Sequence, residues 1–158
     1  MAEFTIRNEN YVERVRGSFE RQPFMKTIGA KLTEIGPGFV EIAVPFSDGV
    51  TQQHGFFHGG LIGTIADNAG GYAAFTLMAA SDSVLSVEYK LNLMAPANGD
   101  LLISRGHVLK SGRTLTVCQS DIYVVRDGVE HNCATMLGTF MTMVSMSDEP
   151  DNDRSRKN

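Results

Sequence analysis

No tryptophan occurs among the 158 residues, cysteine occurs only twice, and no extended stretch is rich in lysine or arginine. Each scarcity removes a class of function. Cys118 and Cys133 show neither a CxxC spacing nor a paired-histidine spacing, so no disulfide framework or zinc site is signalled, and both read as small buried strand residues. Without a concentrated positive surface, and with a formal net charge of −4, the chain lacks what binding to a nucleic-acid backbone requires. No basic segment followed by an apolar stretch opens the chain, so a cytoplasmic protein is expected. Hydrophobic residues at 42% and charged residues at 20% fit a globular fold and exclude disordered and fibrous classes. The chain is long enough to bury a core without cross-links.

Five prolines and several glycine turns punctuate what is present. Residues 8–21 place Tyr11, Val12, Val15 and Phe19 among charges, the spacing of an amphipathic helix, which Pro23 is expected to end. Residues 31–35 and 39–44 are short branched-residue segments joined by Gly36-Pro37-Gly38 and closed by Pro45, a hairpin. A loop, 47–57, feeds a helix over 61–78 that is apolar or small on every face, the mark of a helix enclosed by other structure. That run approaches the length of a membrane span, but Asp67 and Asn68 sit in its middle, where an acidic residue costs about 2.5–3.5 kcal/mol. It therefore reads as a core helix of a water-soluble domain. Four strands follow, 84–94, 100–109, 114–126 and 129–144, linked by Pro96-Ala97-Asn98-Gly99, Ser111-Gly112 and the hairpin signal Asp127-Gly128. The order predicts one α+β domain over 1–146 in which an antiparallel sheet curls around a long helix. The polar tail 147–158 is expected to be disordered.

The candidates for chemistry cluster at that helix. The N–H groups of a first helical turn are unpaired and positive in potential, and glycine lets an oxygen come close, so Gly59-Gly60 suits a carbonyl or oxyanion as well as it suits a tight turn. A carboxylate on an enclosed helix, Asp67, must be paired, hydrogen-bonded or neutralised; it either bonds a neighbouring strand or does chemistry. His58 reads as a helix cap or as a base. His54, His107 and His131 show no spacing that implies a shared metal or a triad.

The phrases HGFFHGGLIGTIADNAGG, SVLSVEYKLNLMAPA and LKSGRTL stand in the order and spacing of the hotdog-fold acyl-CoA thioesterases, and residues 27–144 resemble the phenylacetic-acid-degradation-type (PaaI-like) branch with its HGG-x7-D pattern. The resemblance implies hydrolysis of an acyl- or aroyl-CoA thioester without metal or other cofactor. It also implies roles. Asp67 would be the catalytic general base or nucleophile, and the Gly59 amide would polarise the carbonyl with a side-chain amide at Gln52, where the family more commonly has Asn. Ser86 would hold the attacking water. Lys110, Gly112 and Arg113 form a turn that lies near the coenzyme A nucleotide in the family, or is a plain hairpin tip. Phe56, Phe57 and Tyr72, with His58 and Gly60, are candidates for contact with substrate, though aromatics beside a core helix also serve as core. The hydratase branch of the fold is disfavoured, since Tyr72 stands where its Asp-x4-His histidine would be. A non-catalytic acyl-CoA sensor would use the same pocket.

Asp67 lies eight residues beyond Gly59, about 12 Å along a helix axis, too far for both to touch one carbonyl group. The site is therefore expected between two copies whose helices run antiparallel, giving a homodimer at minimum and a homotetramer as in related enzymes. Gly63, Gly70 and Gly71 would serve that close approach, or only make room for the sheet. Glu88, Lys90 and Asn92 alternate with Ser86 and are expected on its face.

Overall fold

The computed structural model describes residues 4–148. Two helices, α1 (Tyr11–Glu20) and α2 (Pro23–Thr27), precede a hairpin of β1 (Lys31–Gly36) and β2 (Phe39–Pro45). A loop with one 3-10 turn, Asp48–Val50, leads into α3 (Gly59–Phe75). Strands β3 (Ser83–Leu93), β4 (Leu101–Ser111), β5 (Leu115–Arg126) and β6 (Val129–Met143) follow. The six strands form one antiparallel sheet in the order β1-β2-β4-β5-β6-β3. Its concave face packs on α3, the hotdog arrangement. No helix among the described residues is long and apolar enough to cross a membrane.

Period-two burial explains the wrap. On β5, Thr116, Cys118, Ser120, Ile122 and Val124 are buried and their neighbours are not, so one side of the strand meets α3. Phe140 of β6 is fully buried, and its ring lies 3.1–3.2 Å from the positions a Cβ would take on Gly70 and Gly71. Truncating so enclosed a ring costs about 3–5 kcal/mol. Gly106 on β4 comes closer still: a Cβ there would stand 2.3 Å from the Ala69 carbonyl carbon, so the strand backbone rests directly on the helix backbone. Ser120 fastens the same contact by donating to the Ala66 carbonyl at 2.8 Å.

Both cysteines are fully buried on the sheet. Burial pushes the Cys118 thiol up to about 12 and the Cys133 thiol up to about 11, as expected of packed, inert thiols.

Two expectations change. Pro23 does not merely end α1; Gln22 takes an extended ψ of 109° and Pro23 opens α2 at its first position, where a missing N–H costs nothing. The central helix spans 59–75 rather than 61–78, and Arg14 holds its exit by donating to the Ala79 carbonyl at 2.7 Å and to the Asp82 carbonyl, with its guanidinium over the Phe75 ring. Of the tail, Ser147 and Asp148 are described, with the Asp148 carboxylate 2.6 Å from the Arg21 guanidinium; the rest of the expected disordered segment lies outside the described residues.

Candidate active site

Asp67 sits at mid-helix on α3, half-buried, and the Ser86 hydroxyl of β3 donates to its Oδ1 at 2.8 Å. Burial raises the carboxyl above its ordinary range, and the Ser86 bond partly offsets that. A bulge makes the contact possible. Between Ser86 and Glu88 the register on β6 advances by a single residue, since Ser86 pairs with Phe140 and Glu88 with Thr139. Two residues on β3 thus pass for one on β6, which reverses the alternation of faces. Ser86 turns inward with Phe140; Glu88 turns outward and accepts from the Thr139 hydroxyl at 2.5 Å. Glu88, Lys90 and Asn92 therefore do not share the face of Ser86. Tyr89, Leu91 and Leu93 take the inner side instead, the first two against Gly63 and the third against Gly59.

Around Asp67 opens a cleft of about 460 Å³ where the polar side chains of Ser18, Gln22, Asn68, Tyr72 and Ser86 alternate with Pro23, Gly71 and Val84, with Arg21 and Asp148 at its edge. The α1–α2 junction supplies the far wall. Gln22 donates through Nε2 to Asn68 Oδ1 at 3.0 Å and to the Tyr72 hydroxyl at 2.6 Å, and Ser18 Oγ meets that hydroxyl at 3.1 Å. Burial raises the Tyr72 phenol above its usual value, so it stays neutral.

The helix start has a different character. His58 is the N-cap of α3, and its Nδ1 accepts the Gly60 N–H at 2.9 Å, the capping role open to it in the sequence. No acceptor among the described residues meets the Gly59 N–H. That donor faces a second cleft of about 490 Å³, shared by Gln52, Phe56, Phe57, Ile62, Leu93 and Met94. Gln52 Oε1 accepts the His54 N–H, which fixes the amide and turns its NH2 away from that bond. Two donors, one backbone and one side-chain, thus border an otherwise apolar cleft. Phe57 is core as well as lining, edge-on to Phe46 at 5.7 Å. His58 and Gly60 instead line a third cleft with Phe24 and Thr64.

Within one chain, then, the acid and the donors occupy separate clefts, as the helical distance requires. Gly70 and Gly71 face the chain's own Phe140, so they make room for the sheet rather than for a second helix. Gly63 lies against Tyr89 and Leu91, 3.5 Å from where its Cβ would be. Lys110 borders a cleft of about 360 Å³ at the exit of α3 together with Arg7 and Leu77, and Arg113 is exposed on the adjoining turn. Gly112 has a local reason to be glycine, because a Cβ would stand 2.6 Å from the Leu115 carbonyl oxygen. Within one chain the structure brings this turn to neither the Asp67 nor the Gly59 cleft. Sequence reasoning missed Ser18 and Gln22: a serine and a glutamine at a helix end carry no periodic signal.

A profile of the thioesterase superfamily matches residues 54–130. The crystal structure of a thioesterase family protein from Silicibacter pomeroyi is 47% identical, covers 85% of this chain and 98% of its own, and superposes with a TM-score of 0.84. Human acyl-coenzyme A thioesterase 13 is 28% identical over 120 residues, 75% of this chain and 85% of that protein. The E. coli PaaI protein from the phenylacetic acid degradation operon, 17% identical over 90% of this chain and all of its own, shares the fold with a TM-score of 0.77. With a helix-borne carboxylate, a free first-turn amide and an identity of 47% across most of its length, the chain belongs to the thioesterase superfamily and is a hotdog-fold thioesterase.

Proposed function

We propose that the chain hydrolyses an acyl- or aroyl-CoA thioester to the free acid and CoA, at a site completed by a second copy. The observation that carries this reading is the Ser86–Asp67 pair at 2.8 Å, a raised carboxyl whose hydroxyl partner has already given its proton. Ser86 Oγ therefore keeps lone pairs for one hydrogen of a water while Asp67 takes the other. The water oxygen attacks the thioester carbon, and the Gly59 N–H with the Gln52 amide stabilises the oxyanion. Collapse expels the CoA thiolate, which takes up the proton. A raised pKa strengthens the base. These residues and water supply the whole proposed path. The name of the human relative supports CoA as the carrier.

Strand β3 supports the second copy. It forms a sheet edge, pairs among the described residues only with β6, and leaves Leu85, Val87, Tyr89 and Leu93 about half exposed. Long apolar edges invite pairing. Two β3 strands joined antiparallel about Tyr89 would set Ser86 of one copy opposite Asn92 of the other, and Leu85 opposite Leu93. Since Leu93 packs on Gly59, Asp67 of one chain would then face the donor cleft of the other. The dimer gives two equivalent sites, and two dimers a tetramer.

The test is thiol release from a panel of acyl- and aroyl-CoA esters, run beside light scattering. Turnover by a dimer or larger assembly is expected; an active monomer would overturn the shared site, and binding without turnover would make the protein a sensor. Single turnover in ¹⁸O-water tests direct attack: label in Asp67 requires an acyl-Asp anhydride opened at the Asp carboxyl carbon, and rapid-quench trapping of that anhydride tests its opening at the acyl carbon, which labels the product as general-base attack does.

A further inference from the structure

Resting on the reading of a site shared by Asp67 of one copy and Gly59 of the other, we propose that Tyr89 is a further catalytic residue, whose phenol O–H donates a hydrogen bond to the departing thioester sulfur. The proposed path gives every reacting atom but one a partner. Asp67 and Ser86 hold the water, and the Gly59 amide with Gln52 holds the carbonyl oxygen. The sulfur has none, although it leaves with the electron pair of the broken C–S bond and therefore with a negative charge. Charge left unsupported away from water is costly, so a donor placed beside the sulfur lowers the barrier to its expulsion.

Such a donor stands between the two clefts. The bulge between Ser86 and Glu88 turns Tyr89 toward α3, and its hydroxyl lies 3.5 Å from the position a Cβ would take on Gly63. Gly63 is midway between Gly59 and Asp67, about 6 Å along the helix axis from each. With Asp67 of one copy facing Gly59 of the other, that midpoint falls at the two-fold axis, and each reacting carbonyl lies about 6 Å to one side of it. This is close to the span of a C–S bond followed by an O–H···S hydrogen bond. The clefts themselves run away from the axis, toward Tyr72 in one and toward Met94 in the other, so the reacting bond is the part of the substrate nearest it. Leu91 and Leu93, which share the inner side of β3 with Tyr89, have no donor to offer. The Tyr89 hydroxyl has no hydrogen-bond partner among the described residues, and the residue is 46% exposed. Two copies bring two such hydroxyls to the axis, one for each site.

The experiment compares Tyr89→Phe with the wild-type enzyme on two thioesters of the acid that the substrate panel favours, the CoA ester and the S-(4-nitrophenyl) ester. Nitrothiophenolate spreads its charge over the ring and needs little help to leave, whereas the CoA thiolate keeps its charge on sulfur. Phenylalanine preserves the ring, so assembly by light scattering should be unchanged. In the variant, kcat for the CoA ester should fall about tenfold with KM little altered, while kcat for the nitrophenyl ester should fall less than about twofold. Equal losses on the two esters, or no loss on either, would overturn the proposal and make Tyr89 a packing residue, with the hydrolysis itself left standing. A variant that no longer assembles would assign the hydroxyl to the contact between copies and overturn the proposal equally. Absence of turnover of both esters by the wild-type enzyme would overturn the proposed reaction, and this role of Tyr89 with it.

Discussion

The two clefts beside α3 are cut from one helix and its neighbouring strand, yet they differ in almost every physical respect. At the helix start the walls are Phe56, Ile62, Leu93 and Met94, with the Gly59 N–H and the Gln52 amide at the border. At mid-helix hydroxyls and amides surround a carboxylate, with Pro23 and Val84 between them. In the proposed reaction, developing negative charge is stabilised in the first and a proton is accepted in the second. A helix can supply both, because its first turn has spare amides while its middle has none and must work through side chains. What it cannot do is bring them to one carbonyl group. That separation makes the proposed chemistry a property of a pair of chains.

The largest expected effect breaks the mid-helix half. Asp67→Asn keeps size and most hydrogen bonding and should lower kcat by about 10²–10⁴-fold, with assembly unchanged by light scattering. Next, Gly59→Pro removes the donor at the helix start. Proline is well tolerated at the first helical position, His58 before it already has an extended ψ of 135°, and a Cβ there would meet the flexible end of Leu93 at 3.1 Å. The chain should fold, and the loss of one oxyanion donor should cost about 10²–10³-fold in kcat. Mixing the two variants sharpens the comparison. In a mixed dimer one site takes both lesions, while the other pairs Asp67 of the Gly59→Pro chain with Gly59 of the Asp67→Asn chain and is whole. Activity should return on subunit exchange; no return, with exchange verified by mass spectrometry, would place each site within one chain.

Smaller effects follow from the pair at 2.8 Å. Ser86→Ala should reduce kcat by about tenfold through the lost hydrogen bond. It should also move the acid limb of the kcat/KM profile to higher pH, since Ser86 lowers a carboxyl that burial raises. The same shift has a consequence for stability. A carboxyl whose folded pKa is raised favours the folded state only while protonated, so its contribution is complete below the ordinary Asp value and lost as pH climbs through the folded one. Asp67→Asn should therefore raise Tm at pH 7, and the gain should shrink toward pH 4 by calorimetry. The weakest effect lies outside both clefts: replacing Lys110 and Arg113 with Ala should raise KM a few-fold for CoA esters and spare pantetheine esters, which lack the nucleotide.

Much of the fold was legible because its signals are local and periodic. The Asp127-Gly128 hairpin, the alternation along β5 and the all-round apolarity of α3 each follow from short stretches read alone. The failures share a cause. The bulge at Val87 leaves no mark in composition, so Ser86 and Glu88 look alike until β6 supplies the register. Pro23 ends one helix and begins another, and only the φ and ψ of Gln22 distinguish the cases. Gly106 is an ordinary strand glycine until α3 is laid across it. Asp67 was legible as the odd carboxylate on an enclosed helix, but Gln22 and Ser18, which meet at Tyr72 from 50 or more positions away, were not.

A thioesterase works among acyl groups poised to move to any nucleophilic sulfur, and hydrolysis of a CoA ester would liberate a fresh thiol at each turnover. Cys118 and Cys133 are shut inside the sheet with their thiols pushed up to about 12 and about 11. Neither offers a thiolate at neutral pH. The protein therefore cannot capture an acyl group by exchange onto its own sulfur, nor trap the departing thiol as a mixed disulfide, and it should survive many turnovers without acylating itself.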